Sequence, residues 1–311
     1  PISCECLYQR LDEFKPEIIY TCAGSIRIMK AVNNISKHYG IPVVIHLMDD
    51  WPNTIYDTSL LLKPFRWLAL KELRVLYSRT QVNYAISEGL GEKYTAMYHK
   101  KHIALMNPAD IYPIDTDEAV PYCEDQSVKF LYAGSLSLNR DKSLLEIAAS
   151  LFDLRKRGFA NHFDIYVSKT LINDYNINRF SQYGVHLHPY VSPAKVYELY
   201  AKYDVLVYTE SFDKSNIDFT SYSLSTKVPE YLASKRPILA YLPEQLFSAQ
   251  FLEQKQVAKV AHNTTELMMS CQRLIEDHSL RLRLAHNGRE LAEREFSYEQ
   301  VQKKIEQVFG K

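Results

Sequence analysis

The sequence predicts an α/β protein made of two parallel sheets covered by helices. Three observations carry that expectation. Short apolar runs alternate with helical patterns from end to end, as expected of parallel strands buried on both faces. The chain has 311 residues, more than one hydrophobic core usually fills, so two domains are expected. Its composition, 46% hydrophobic and 24% charged, is that of an ordinary globular protein.

In chain order, strands of a first domain fall at 17–21 (EIIYT), 42–46 (PVVIH), 82–86 (VNYAI) and 103–106 (IALM). Helical patterns at 26–38 and 87–99 lie between them. Residues 107–127, NPADIYPIDTDEAVPYCEDQS, hold three prolines and six acidic residues, which is linker composition. Beyond it come strands at 128–133, 163–167, 185–188, 205–208, 238–242 and 257–260, with helices at 143–155, 193–203 and 265–275. A long charged helix at 278–296 precedes a last one at 297–309. The expected domains are therefore 1–112 and 113–296, with 297–311 packing back towards the first.

Bulk properties narrow the function. Lysine plus arginine equals aspartate plus glutamate at 37 each, so no overall field favours nucleic acid. The five cysteines are odd in number and form no C-x-x-C pair, which points to reduced thiols in a cytoplasmic setting. Cys4-x-Cys6 has no matching His/Cys pair to complete a metal site. No run approaches the roughly 20 apolar residues that cross a bilayer. The chain opens on Pro1 and shows four strands in its first domain, so an N-terminally incomplete piece is expected, with weak or absent activity of its own.

Three strand-to-helix junctions in the second domain carry unusual residues. After strand 128–133, Gly134 and Ser135 lead to Arg140 and Lys142 at a helix start. Cations there oppose the helix dipole unless an anion joins them; two solvated surface charges are the alternative. Glu210 follows strand 205–208, as an acceptor for sugar hydroxyls or as a plain helix-start acid. The third junction, SYSLSTKVPE, brings Ser223, Ser225, Thr226, Lys227 and Glu230 together ahead of a helix. It reads as phosphate plus ribose recognition, or as an ordinary Ser/Thr cap.

FLYAGSLSLNRDKSLLEIA, HLHPYVSPAKVYELYAKYDVLVYTES and SLSTKVPEYLASKRPILAY resemble the donor-binding half of GT-B glycosyltransferases, especially the family 4 group. PVVIHLMDDWP and NYAISEGLGEKYTAMYHKKHIALMNPAD look like the end of the acceptor-side half. The resemblance implies two Rossmann-like domains facing each other, the first incomplete, with a nucleotide-sugar site between them. By position, Arg140 and Lys142 would hold the donor diphosphate, lined by Gly134 and Ser135. Tyr190 and Val191 would border the base, Ser223 to Lys227 would meet phosphates and sugar, and Glu230 the ribose. No cofactor and no metal are then expected, because cations and helix dipoles stabilise the leaving diphosphate.

Three positions depart from the family pattern. Tyr222 stands where many retaining members have a glutamate, so the donor-sugar contact would pass to Glu210. Ser135 replaces a family arginine, and Met48 an acceptor-side histidine, leaving Asp49 and Asp50 to orient the acceptor hydroxyl or act as base; a capped loop after the strand is the alternative. His46 reads as a packed histidine. Asp115-Thr116-Asp117, formally a D-x-D metal motif, sits in the acidic linker and reads as solvated charge.

Residues 60–79, LLLKPFRWLALKELRVLYSR, interleave basic and apolar residues with one acid, Glu72. Such a helix lies on an anionic membrane or packs with a basic outer face. The resulting expectation is a nucleotide-sugar-dependent glycosyltransferase with a donor of the UDP or GDP type. Its acceptor is a saccharide or lipid-linked sugar, used with retention in surface polysaccharide or glycolipid assembly, with peripheral contact at the inner face of the plasma membrane. An epimerase of the same fold and a non-catalytic nucleotide-sugar binder are the rivals.

Overall fold

The computed structural model describes residues 4–57, 59–111 and 127–309. Most of the acidic linker, with Asp115-Thr116-Asp117 and Cys123, lies outside them. The chain forms two compact units: Pro1–Met106 with Lys304–Lys311, and Asn107–Lys303. The division falls ahead of the expected residue 112 because the Ala109 amide already donates to Phe296 O of the second unit (2.8 Å).

The first unit holds four parallel strands, β1 (Ile19–Thr21), β2 (Val43–Leu47), β3 (Val82–Ala85) and β4 (Lys101–Ala104), in the order β1-β2-β3-β4. Every residue of β2 is buried, which is why it reads as an apolar run with one polar member, His46. Helices Ile26–Tyr39, Lys63–Ser78 and Glu88–Tyr98 connect the strands, and the first two pack on each other. Ser25 and Ser87 cap their helices by accepting from the amides of Ile28 and Leu90, and Gly40 closes the first in the left-handed region (φ 68°). The final helix, Tyr298–Phe309, ends in this unit: the Tyr84 hydroxyl donates to Ile305 O (3.2 Å) and its ring meets Phe309. The apolar signal had placed β4 at 103–106. Pairing instead runs from Lys101 opposite Val82 to Ala104 opposite Ala85, and Leu105 and Met106 are buried just past the strand end.

The second unit carries six parallel strands: β5 (Val128–Ala133), β6 (Asn161–Val167), β7 (His186–Pro189), β8 (Val205–Thr209), β9 (Ile238–Tyr241) and β10 (Ala258–Ala261). Their order is β10-β9-β8-β5-β6-β7. The chain builds outward from β5 to β7, crosses back to place β8 on the other side of β5, and builds outward again to β10. Phe130, Phe163, Ile165, Val205, Val207 and Leu239 are fully buried in its core. Each such side chain contributes roughly 1.5–3 kcal/mol by leaving water. Helix Arg140–Lys156 packs on helix Thr264–Glu276.

Among the described residues, five short α-helices were not marked by periodicity: Cys4–Phe14, Trp51–Thr54, Asp174–Ser181, Lys214–Thr220 and Phe247–Gln254. The helix expected at 193–203 is a 3-10 turn, Pro193–Lys195, followed by Val196–Tyr200. The long charged helix is regular over His278–Leu291 and widens into a π turn at Ala292–Phe296.

Candidate active site

In a doubly wound sheet, the ligand crevice opens beyond the carboxyl ends of the two strands where building reverses. Here those strands are β5 and β8. β5 ends at Ala133, and the next residue, Gly134, donates its amide to Tyr166 O on β6 (2.9 Å). A Cβ at position 134 would lie 1.9 Å from Lys227 Nζ and 2.8 Å from the Tyr132 hydroxyl. The glycine is therefore required by close approach: Lys227 lays its amine across the strand end, 5.1 Å from the centroid of the Tyr132 ring.

Gly134, Tyr190, Val191, Lys227 and Glu230 line one cavity of about 230 Å³. Five expected donor-site residues, drawn from three separate junctions, thus meet in one place. Ala133, Tyr166, Pro193, Val196, Leu199 and Tyr200 complete its wall and were not anticipated. Tyr166 stands next to the end of β6 and was open to the same strand-end argument. Tyr200 lies in a one-turn helix, and only the fold brings its hydroxyl to Glu230 Oε2 (3.4 Å). Burial raises the Glu230 carboxyl, against the pull of Tyr200 and Lys227. Lys227 is lowered to about 8 by burial and by the charge of Arg140, partly offset by Glu210 and Glu230.

Arg140 is the first residue of its helix. The preceding turn puts Leu138 and Asn139 both in the left-handed region (φ 60° and 58°), at a cost of about 1–2 kcal/mol per residue. Asn216 holds this turn by donating to Leu138 O (2.8 Å), and the Asn139 amide donates to Asp213. The turn aims Arg140 at Glu210: Nε donates to Oε2 (2.8 Å) and Nη2 to Oε1 (3.0 Å). This bidentate pair is the strong geometry for a guanidinium and a carboxylate. Burial would lower Arg140, but the facing carboxylate reverses the effect and raises it.

Two residues stand differently from the expectation. Glu210 was expected to touch the donor sugar. It is 5% exposed, and its carboxylate accepts from Arg140 and from the Tyr208 hydroxyl (3.4 Å); like Arg140, it lies outside the cavity wall. Lys142 was expected on the diphosphate, but its amine pairs with Asp213 (2.9 Å) and its side chain is 60% exposed.

Ser135 spends its hydroxyl on Ser137 and its carbonyl on the Tyr132 hydroxyl. The Ser223 amide donates to Thr220 O. Thr226, the cap position of the helix Lys227–Ala233, makes no side-chain cap bond. Ser225 Oγ accepts from the Lys227 amide only at 3.4 Å. An ordinary Ser/Thr cap therefore explains little of this junction.

In the first unit, Asp50 was expected as an acceptor-side base. It is buried, with Oδ2 accepting from Lys93 Nζ (2.6 Å) and Oδ1 from the Tyr94 hydroxyl (2.8 Å). Both oxygens are thus engaged by side chains of the helix Glu88–Tyr98. Asp49, one residue earlier, is half-buried. His46 is packed as expected: it bonds to Tyr20 and Leu105 O, and burial lowers it to about 4.

No curated protein matches the chain. The chain is similar to several solved structures. Anabaena Alr3699/HepE in complex with UDP has a TM-score of 0.70 and 14% identity, over 97% of this chain and 80% of that one. The sucrose-phosphate synthase of Thermosynechococcus elongatus has a TM-score of 0.68 and 13% identity, over 98% and 76%. WaaG, a glycosyltransferase involved in lipopolysaccharide biosynthesis, has a TM-score of 0.61 and 15% identity, over 90% and 81%. These likenesses establish the GT-B fold of two Rossmann-like domains. Residues 142–307, more than half of the chain, match the Glycosyl transferase-like family, and the chain belongs to that family.

Proposed function

We propose that the cavity at the carboxyl ends of β5, β6 and β7 binds a nucleotide-sugar donor of the UDP or GDP type. In this reading the chain transfers the sugar to a saccharide or lipid-linked acceptor in surface polysaccharide or glycolipid assembly, with retention. The observation that carries the proposal is the meeting of Gly134, Tyr190, Val191, Lys227 and Glu230 in one cavity. Glu230 takes the ribose hydroxyls, Tyr190 and Val191 border the base, and the diphosphate runs past Gly134 to Lys227 and Arg140. As the sugar–phosphate bond breaks, negative charge grows on the diphosphate, and two cations already in place stabilise it without reorganising. Transfer on this account persists in EDTA. That HepE has been solved with UDP and glucose favours UDP as the first donor to try.

Asp49 is the proposed acceptor-side carboxylate, since Asp50 is committed elsewhere. Peripheral contact with the inner face of the plasma membrane is proposed for residues 60–79. Leu60, Leu61, Phe65 and Trp67 are exposed there beside Lys63 and Lys71. Among the described residues, no helix is long and apolar enough to cross a membrane.

The test is a thermal-shift screen against UDP-, GDP-, ADP-, CMP- and dTDP-sugars. Binding to the native state alone raises stability by about 2.7 kcal/mol at a hundred times Kd. A UDP- or GDP-sugar is expected to shift the midpoint, and Lys227→Ala and Glu230→Ala each to abolish that shift while melting cooperatively. A shift retained in both variants would place the donor elsewhere. Turnover of donor with acceptor omitted would instead indicate an epimerase.

A further inference from the structure

We infer that the groove between helices Lys63–Ser78 and Glu88–Tyr98 of the first unit is a headgroup site for an anionic phospholipid. The inference rests on the membrane contact proposed above and adds to it a defined pocket. The groove encloses about 450 Å³, and three cations, Arg66, Arg74 and Lys100, line it with no aspartate or glutamate in its wall. Its apolar wall includes Met97 and the stacked rings of Tyr77 and Tyr98 (centroids 3.9 Å, 12° between planes).

The cations are held differently. Arg66 donates to Ile55 O (2.8 Å) and lies 3.7 Å from Asp57, and Lys100 donates to Thr80 O (2.7 Å). Arg74 is exposed and makes no hydrogen bond or ion pair with any described residue; its charge acts on the Tyr98 phenol. A guanidinium with open donors beside tyrosine side chains in one groove suits a phosphate oxygen.

The surroundings favour a lipid as the source of that phosphate. At 3.6 residues per turn, Trp67 falls within about 20° of Arg74 on the helix surface and Arg66 about 80° away, both arginines in the groove wall. Trp67 is 64% exposed, and Leu61, just before the helix, is 85% exposed. A soluble phosphate ester needs no such apolar rim. A bilayer uses it, since aromatic and aliphatic residues enter the interface while cations meet the headgroups.

The experiment is vesicle co-sedimentation of the full chain with phosphatidylcholine alone or doped with phosphatidylglycerol. Arg74→Gln is compared with Lys71→Gln, which removes the same charge from an exposed site on the same helix outside the groove. One cation near a charged surface is worth about fivefold in partitioning. We expect Lys71→Gln to cost at most that, and Arg74→Gln on the order of twentyfold with an unchanged melting midpoint. Inorganic phosphate is expected to displace the protein better than chloride at matched ionic strength. Equal losses in the two variants would show diffuse attraction and remove the pocket. No partitioning into doped vesicles would remove the lipid. Protection by phosphate that is lost in Arg74→Gln, without any vesicle binding, would assign the groove to a free phosphate ester instead. Donor binding in the second unit, followed by thermal shift, reports on the transferase reading independently of all these outcomes.

Discussion

Lys227 and Gly134 show how far single residues set the behaviour of this site. An added methyl in Gly134→Ala meets a lysine tip that can swing aside and a Tyr132 that cannot, being buried with its hydroxyl 2.6 Å from Ser135 O. The substitution is expected to displace the Lys227 amine, weaken donor binding on the order of tenfold and cost about 1–3 kcal/mol of stability. Titration calorimetry and thermal melts measure the two effects, and unchanged donor affinity would show that the amine is not on the diphosphate. Lys227, lowered to about 8, also predicts a pH dependence. A diphosphate favours the charged amine, so donor affinity should be flat below about pH 7 and fall above about pH 8 by up to tenfold per unit. Stability of the unliganded fold runs the other way. Between about 8 and the ordinary lysine value the unfolded chain binds more protons than the native one, so this group's contribution to stability rises with pH. Lys227→Arg stays charged throughout and should flatten the affinity profile; a profile that persists in that variant assigns it to another group.

The loop after β2 sets two adjacent carboxylates in different environments. Asp50→Asn keeps the shape but removes the charge that faces Lys93, and breaking a buried pair costs about 3–5 kcal/mol. The first unit should melt markedly earlier, with donor-induced protection of the second unit retained. Asp49→Asn, at a half-buried position, should lower transfer while donor-induced protection is retained; normal transfer by Asp49→Asn would remove it from the acceptor side. Sequence alone could not separate these two, because what distinguishes them is Lys93 and Tyr94, more than 40 residues away. The same limit hid the partner of Glu210, Arg140, which lies 70 positions earlier. Strands were legible because parallel strands buried on both faces are apolar at most positions, as β2 is apart from His46. Short helices such as Asp174–Ser181 offer too few turns for a period to show. Gly134, Lys227 and Glu230 could be singled out because each sits at a strand-to-helix junction, where the fold class places ligands, and the structure brings them into one cavity.

At the scale of the whole chain, each unit has its own sheet and its own core, so ligand stabilisation should be unequal. The chain has two tryptophans, Trp51 and Trp67, both in the first unit, whereas the proposed donor cavity lies wholly in the second. Tryptophan fluorescence therefore follows one unit and far-UV circular dichroism follows both. A donor at a hundred times Kd adds about 2.7 kcal/mol to the state that binds it, and a domain of this size gains roughly 2–4 °C per kcal/mol. The dichroism melt should resolve a transition that moves upward by roughly 5–10 °C with donor, while the fluorescence midpoint stays in place. Equal movement of both signals would mean that the units unfold as one cooperative body, in which case Asp50→Asn should also lower the transition that donor protects.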